Sequence, residues 1–334
     1  MLYAAATIGR RFVIAKIHVL WYTQVMKRVF VITGATATGK SAYGVEFAKK
    51  TGGEIVSADS MQIYKFMDIG TAKPTQDEKQ GVVHHMLDVM MPWEDYSVAR
   101  YVHDAGQIID DILYRGKVAI IAGGTGLYID SLLSGRSFSE RGDDALRKEL
   151  ELEYDNLGGD VMLQKLSGFD PESAKKLHTN DKKRIVRAIE VYKTTGKPIS
   201  QHDLETKNLP PRYDAVKFAL NIPDREVLYG RIDKRVDKMI ASGLEQEVRE
   251  LLSMGISPGT TAMQAIGYKE MVAAIDGRCS MDDAIDKIKM ESRRYAKRQL
   301  TWIRSRDYIL LENNLDDEPN EVGRHRRGGA TKRV

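Results

Sequence analysis

The segment Gly34-Ala35-Thr36-Ala37-Thr38-Gly39-Lys40-Ser41 sets two glycines, a lysine and a hydroxyl at the spacing that wraps an anion. Glycine lets the backbone curl until successive N–H groups point inward at phosphate oxygens. Lys40 adds a point charge and Ser41 offers a hydroxyl to Mg²⁺. The chemistry implied is the binding of a di- or triphosphate, with the reaction left open. Asp59 follows the run Glu54-Ile55-Val56-Ser57-Ala58 and could accept a proton from a nucleophile arriving beyond the terminal phosphate. It could also cap the next turn or order magnesium-bound water. Thr125 closes Gly123-Gly124-Thr125-Gly126, where a plain turn residue would serve as well as a ligand contact. Arg231 and Arg235, four apart, share a helix face. One of them could neutralise a departing diphosphate with its forked guanidinium, or both could be solvated surface charges.

These residues need a scaffold, and the pattern around them alternates strand with helix. Short apolar runs fall at 29–33, 54–58, 86–89, 117–122 and 215–220, separated by segments of helical period. That alternation predicts a doubly wound, mostly parallel α/β sheet. Ligands collect at the carboxyl ends of such strands. There the sequence places the phosphate loop, Asp59-Ser60, Asp88 and Gly123 to Gly126. From 140 to 212 the strand signal gives way to polar, basic, helical sequence, read as an inserted all-helical subdomain ending at Pro210-Pro211. The core is therefore expected at 27–139 and 213–312. Two long helical patterns follow residue 224, one with Ile232, Val236, Met239, Ile240, Leu244, Val248 and Leu251 along a stripe.

The whole chain of 334 residues, 42% apolar and 29% charged, suits a soluble globular protein. Its single cysteine, Cys279, excludes an internal disulfide and a cysteine-built zinc site and fits a reducing compartment. Residues 1–28 contain no acidic residue, which suits a transit peptide or sequence upstream of a start at Met26. The later start is favoured, with 1–26 as an extension outside the fold. No apolar run approaches the roughly 20 residues of a membrane span. A basic tail at 313–334, containing Arg324-His325-Arg326-Arg327, is expected to be disordered. The net charge is only +4, so affinity for nucleic acid would need local clustering. Two stretches provide it: Lys182-Lys183-Arg184-Ile185-Val186-Arg187, and Arg293 to Arg304 with Tyr295 and Trp302 interleaved. Such helices suit an RNA backbone and exposed bases, although any one charged face can be merely solvated.

Longer motifs narrow the field. The phosphate loop, Ser57-Ala58-Asp59-Ser60-Met61-Gln62-Ile63-Tyr64, Met67-Asp68-Ile69-Gly70-Thr71-Ala72-Lys73-Pro74 and Gly123 to Tyr128 together resemble the tRNA dimethylallyltransferases, the bacterial isopentenyltransferase family. The similarity continues through His178-Thr179-Asn180-Asp181, Ala265-Ile266-Gly267-Tyr268-Lys269-Glu270 and Lys297-Arg298-Gln299-Leu300-Thr301-Trp302, spanning about residues 27 to 312 in order.

The resemblance implies a fold like that of the P-loop NTPases. It also implies transfer of a dimethylallyl group from its diphosphate to N6 of the adenosine 3′ of a tRNA anticodon, with Mg²⁺ and without a need for ATP. In the family pattern Asp59 matches the base, Thr125 the leaving-group threonine and Arg235 the pyrophosphate arginine. Gly34 to Ser41 match the diphosphate cradle, with Thr36 a contacting position and Ser41 the metal hydroxyl. Asp59, Ser60, Met61, Gln62, Thr125, Arg147, Lys183, Arg184, Ile185, Val186 and Arg187 match tRNA-contacting positions. So do Gln264, Ala265, Ile266, Gly267 and Tyr268. The target base would be flipped from the anticodon stem-loop to reach the donor. A cytoplasmic monomer is the expectation. Two rivals share the loop: a small-molecule kinase, which would turn over ATP with a small acceptor, and an RNA-binding NTPase, which would leave Asp59 and Thr125 without a task.

Overall fold

The computed structural model describes residues 27–134, 144–207 and 210–313. The extension at 1–26 and the tail from 314 onward lie outside the described residues, as do 140–143 at the start of the expected insertion. In chain order the first elements are β1 (Arg28–Gly34), α1 (Lys40–Thr51), β2 (Glu54–Ser57), α2 (Gln76–Lys79), β3 (His84–His85), α3 (Val98–Tyr114), β4 (Ala119–Ala122) and α4 (Gly126–Leu133). Then come α5 (Asp144–Leu157), α6 (Gly159–Ser167), α7 (Pro171–Ala174), α8 (Lys182–Thr195) and α9 (Ile199–Lys207). The chain returns to the sheet as β5 (Asp214–Asn221) and continues through α10 (Arg225–Ala241), α11 (Leu244–Ser253), α12 (Tyr268–Ile275), α13 (Met281–Arg304) and β6 (Ile309–Glu312).

The six strands form one sheet in the order β3-β2-β4-β1-β5-β6, every neighbouring pair parallel. Helices on both faces bury it, which is why β1 reads as an unbroken apolar run. Register sets the carboxyl ends level: Ile32 and Ser57 both face Ala122, and Gly34 faces Leu220. The loops after β1, β2 and β4 thus open on one edge of the sheet. Helices α5 to α8 enclose their own apolar centre of Leu150, Met162, Leu166, Ile185, Val186 and Ile189.

Three sequence expectations change. The run 86–89 is not a strand; β3 is His84–His85, and Met86 and Asp88 take positive φ (61° and 57°) that breaks pairing. The stripe from Ile232 to Leu251 belongs to two helices, because Gly243 turns left-handed (φ 96°) between α10 and α11. Four helices, not two, follow residue 224, and β6 adds a sixth strand beyond them.

Candidate active site

The phosphate loop joins β1 to the N-terminus of α1, whose dipole end and free N–H groups favour an anion. Gly39 caps the helix at φ 83°, and a Cβ at Gly34 would overlap Thr38 Oγ1 and crowd Leu220 O. Inside the turn Thr38 Oγ1 donates to Ala35 O (2.8 Å). Two distant residues brace it from outside. Gln299 Oε1 accepts from Thr36 N (2.8 Å), and Asn313 Nδ2 donates to Thr38 O (2.7 Å). Asn313 is buried and also donates its backbone N–H to Asn221 O, so this first residue of the expected tail belongs to the fold.

Beside the loop lies a cavity of about 60 Å³ lined by Lys40, Ser41, Asp59, Gln62, Arg235 and Tyr295, among others. Residues from β2's end, α1, α10 and α13 therefore meet at the sheet edge. Asp59 Oδ1 accepts from Met61 N (2.9 Å) and Gln62 N (3.4 Å). The carboxylate does cap the turn, and its second oxygen has no hydrogen bond among the described residues. Thr125 is joined to the Asp59 turn: its Oγ1 accepts from Ser60 N (3.0 Å), tying the β4 loop to it. Gln62 Nε2 donates to Thr71 O and Ala72 O, joining two lining residues, Gln62 and Ala72, in the cavity wall.

The cavity is electropositive despite Asp59. Lost hydration pushes the Lys40 ammonium down to about 8; the Arg235 charge lowers it further and Asp59 opposes the shift. Burial likewise lowers Arg235, against Asp59 and Glu78. Two cations forced together out of water are stabilised by a polyanion between them. Burial and the Asp59 charge raise the Tyr295 phenol to about 12, so it is a neutral donor at ordinary pH.

The positions matched to RNA contact divide by burial. Lys183 and Arg184 are exposed on α8, but Ile185 and Val186 sit in the apolar centre of the helical insertion, so their side chains do not reach a ligand. Arg147 and Arg187 both pair with Glu190, which is fully buried (Arg147 Nη2–Oε1 2.9 Å, Arg187 Nη1–Oε2 3.0 Å). Gln264 is exposed, whereas Ala265, Gly267 and Tyr268 are buried. Tyr268 OH donates to Glu247 Oε1 (2.6 Å), and the same carboxylate accepts from Asp68 N, Ile69 N and Gly70 N. The motifs at 67–74 and 265–270 are thus two sides of one clamp. Tyr295 and Trp302 are both half-buried: Tyr295 lines the cavity, and Trp302 Nε1 donates to Asp130 Oδ2 (2.9 Å).

Comparison with known proteins agrees with this geometry. The family described as IPP transferase matches residues 62–306, and the one described as Isopentenyl transferase matches 27–91. A tRNA dimethylallyltransferase of Acetivibrio thermocellus is 48% identical over 297 residues, covering 89% of this chain and 95% of that protein. One from Oceanobacillus iheyensis is 44% identical, covering 88% and 94%. The crystal structure of a tRNA isopentenylpyrophosphate transferase from Staphylococcus epidermidis is similar with a TM-score of 0.62 and 43% identity, covering 85% of this chain and 93% of that one. A eukaryotic dimethylallyltransferase acting on tRNA gives 0.73 at 32% identity, covering 85% and 73%. With a six-stranded parallel sheet of the P-loop NTPase type and matches along nearly its whole described length, the chain belongs to the IPP transferase family, that of the tRNA dimethylallyltransferases.

Proposed function

We propose that the protein transfers the dimethylallyl group of dimethylallyl diphosphate to N6 of the adenosine 3′ of a tRNA anticodon, releasing diphosphate. The observation that carries this reading is the convergence of two desolvated cations, Lys40 and Arg235, with the Asp59 carboxylate on one cavity. The diphosphate lies against the loop N–H groups, Thr36, Lys40 and Arg235. N6 attacks the allylic carbon, the C–O bond breaks and its electron pair leaves with diphosphate. The exocyclic amine is a poor nucleophile, so stabilising the departing anion is the main catalytic contribution. Asp59, oriented through Oδ1, takes the N6 proton at its other oxygen. Thr125 holds the Asp59 turn through Ser60, and its hydroxyl is assigned the oxygen of the breaking bond.

Mg²⁺ fits this site as a donor-bound ion. Ser41 and Asp59 line the cavity, but no group of three acidic, histidine or cysteine side chains able to cage a metal occurs among the described residues. A hard cation would be held by the Ser41 hydroxyl and by phosphate oxygens, where it would screen diphosphate charge. The exposed Lys183 and Arg184 on α8 suit the tRNA backbone, with Gln264 at the surface of the clamp. No helix among the described residues is long and apolar enough to cross a membrane. The reading takes the enzyme to act as a cytoplasmic monomer.

The test is transfer of label from dimethylallyl diphosphate to unmodified tRNA with Mg²⁺, comparing wild type with Asp59→Asn. The asparagine keeps the turn acceptor but cannot take a proton. Transfer by wild type and a loss of about 10² to 10⁴ in the variant, with tRNA binding retained, is expected. A folded wild type that transfers nothing and consumes ATP would overturn the reading.

A further inference from the structure

We propose that Gln299 is a positioning residue that holds the diphosphate cradle and the Thr125 loop at a set separation, so that the leaving group and the Asp59 base braced by that loop stay in register. The inference rests on the transfer reaction proposed above. Gln299 lies on α13 and is 5% exposed. Its Oε1 accepts from Thr36 N in the phosphate loop (2.8 Å), and its Nε2 donates to Gly124 O in the loop after β4 (3.0 Å). One side chain therefore spans the loop that cradles the diphosphate and the loop whose Thr125 braces the Asp59 turn. The neutral amide is suited to this, because it presents an acceptor to an N–H at one end and a donor to a carbonyl at the other. A carboxylate would oppose the Gly124 carbonyl and place negative charge beside the diphosphate.

The surroundings are built to that amide. A Cβ on Gly124 would overlap Gln299 Nε2, so the glycine there makes room for the contact. Tyr295, one turn earlier on α13, lines the same cavity and reaches toward Gly124 O (3.5 Å). Gln299 itself lines the cavity between them. Its amide oxygen and nitrogen are committed to Thr36 N and Gly124 O, so its effect passes through those two loops.

The experiment uses the full chain and three variants. Gln299→Met keeps the volume and removes both bonds. Gln299→Glu keeps the acceptor and reverses the donor. Gly124→Ala leaves Gln299 intact and pushes its amide aside. For each, prenyl transfer gives kcat and donor KM, calorimetry with inorganic pyrophosphate gives binding to the cradle, and filter binding gives the tRNA Kd. Misplacement of a reacting pair by about 1 Å costs roughly 10²-fold. The expected result is kcat lower by about 10- to 100-fold and pyrophosphate Kd higher by about tenfold, with tRNA Kd within about twofold of wild type. Gln299→Glu should weaken pyrophosphate most, and Gln299→Met with Gly124→Ala should be less than additive. A folded variant with wild-type kcat and pyrophosphate Kd overturns the proposal, as does parallel loss of tRNA and pyrophosphate binding. If Gln299→Met does not fold, the other two variants decide. Wild-type protein that binds pyrophosphate but does not prenylate tRNA would reject the transfer reading while the pyrophosphate arm still tests the link between the loops.

Discussion

Asp59 caps its turn with one oxygen and leaves the other for the proposed role of base, so the two alternatives need not compete. Oδ1 is committed to the amides of Met61 and Gln62, which aims the rest of the carboxylate. Lys40 carries a measurable signature of the same cavity. Its ammonium is pushed down to about 8 by lost hydration, so in the free protein its charge fades as pH rises through that value. Donor KM should therefore climb above pH 8, by up to about tenfold per pH unit, and this rise should be absent in Lys40→Arg, read from initial rates at fixed saturating tRNA. For stability the sign is opposite: the folded state holds fewer protons on Lys40 than the unfolded chain between about 8 and 10.5, so this group's contribution improves as pH rises through that window. The phosphate loop was legible because all eight residues are contiguous. Gln299 and Asn313 were not, because each reaches a loop partner 263 and 275 positions away, and nothing local distinguishes an amide that braces from one that faces water.

Elements show where burial overrides composition. The basic run on α8 reads as one RNA-facing stretch, yet helical period turns Ile185 and Val186 inward and leaves Lys183 and Arg184 outside. Lys183→Ala with Arg184→Ala is expected to weaken tRNA binding and to reduce the slope of log Kd against log salt by about one per lost phosphate contact. Donor KM should stay unchanged, as filter binding and transfer assays would show. The clamp around Glu247 belongs to this scale as well, since one carboxylate gathers three successive amides and the Tyr268 hydroxyl. Glu247→Ala should cost about 2–3 kcal/mol in urea unfolding and loosen the wall at Ala72, raising KM for donor. The break at Gly243 and the displaced β3 escaped the sequence pattern for a common reason. An apolar stripe records which face is buried but not where a left-handed residue ends the element.

The molecule as a whole separates its anchoring from its chemistry across the sheet. At the amino ends of the strands, Glu54 is 4% exposed and meets Arg115 Nη1 (2.6 Å), Lys117 Nζ (2.7 Å) and His85 Nε2 (2.8 Å), joining β2, β3 and the entry to β4. Hydrogen bonds from Arg115 foremost, then Lys117 and His85, hold its carboxyl well below the usual carboxylate range against the opposing effect of burial. The stabilisation is complete above the ordinary carboxylate pKa of about 4.3 and disappears as pH falls through the lower folded value. Glu54→Ala should cost about 2 kcal/mol, less than a fully enclosed pair because Arg115 and Lys117 keep contact with water. Denaturant melts would measure that loss, while donor KM at the opposite edge stays as it was. The parallel sheet itself could be read from alternating strands and helices, but its sixth strand was hidden because β6 is short and half exposed. The bracing of Thr38 by Asn313 also carries a consequence in time. A ribosome releases Thr38 into the growing chain 275 residues before Asn313 exists, so a nascent polypeptide can assemble most of its sheet while its donor loop still lacks a strut. The loop would thus gain its brace at Thr38 only once residue 313 has been added.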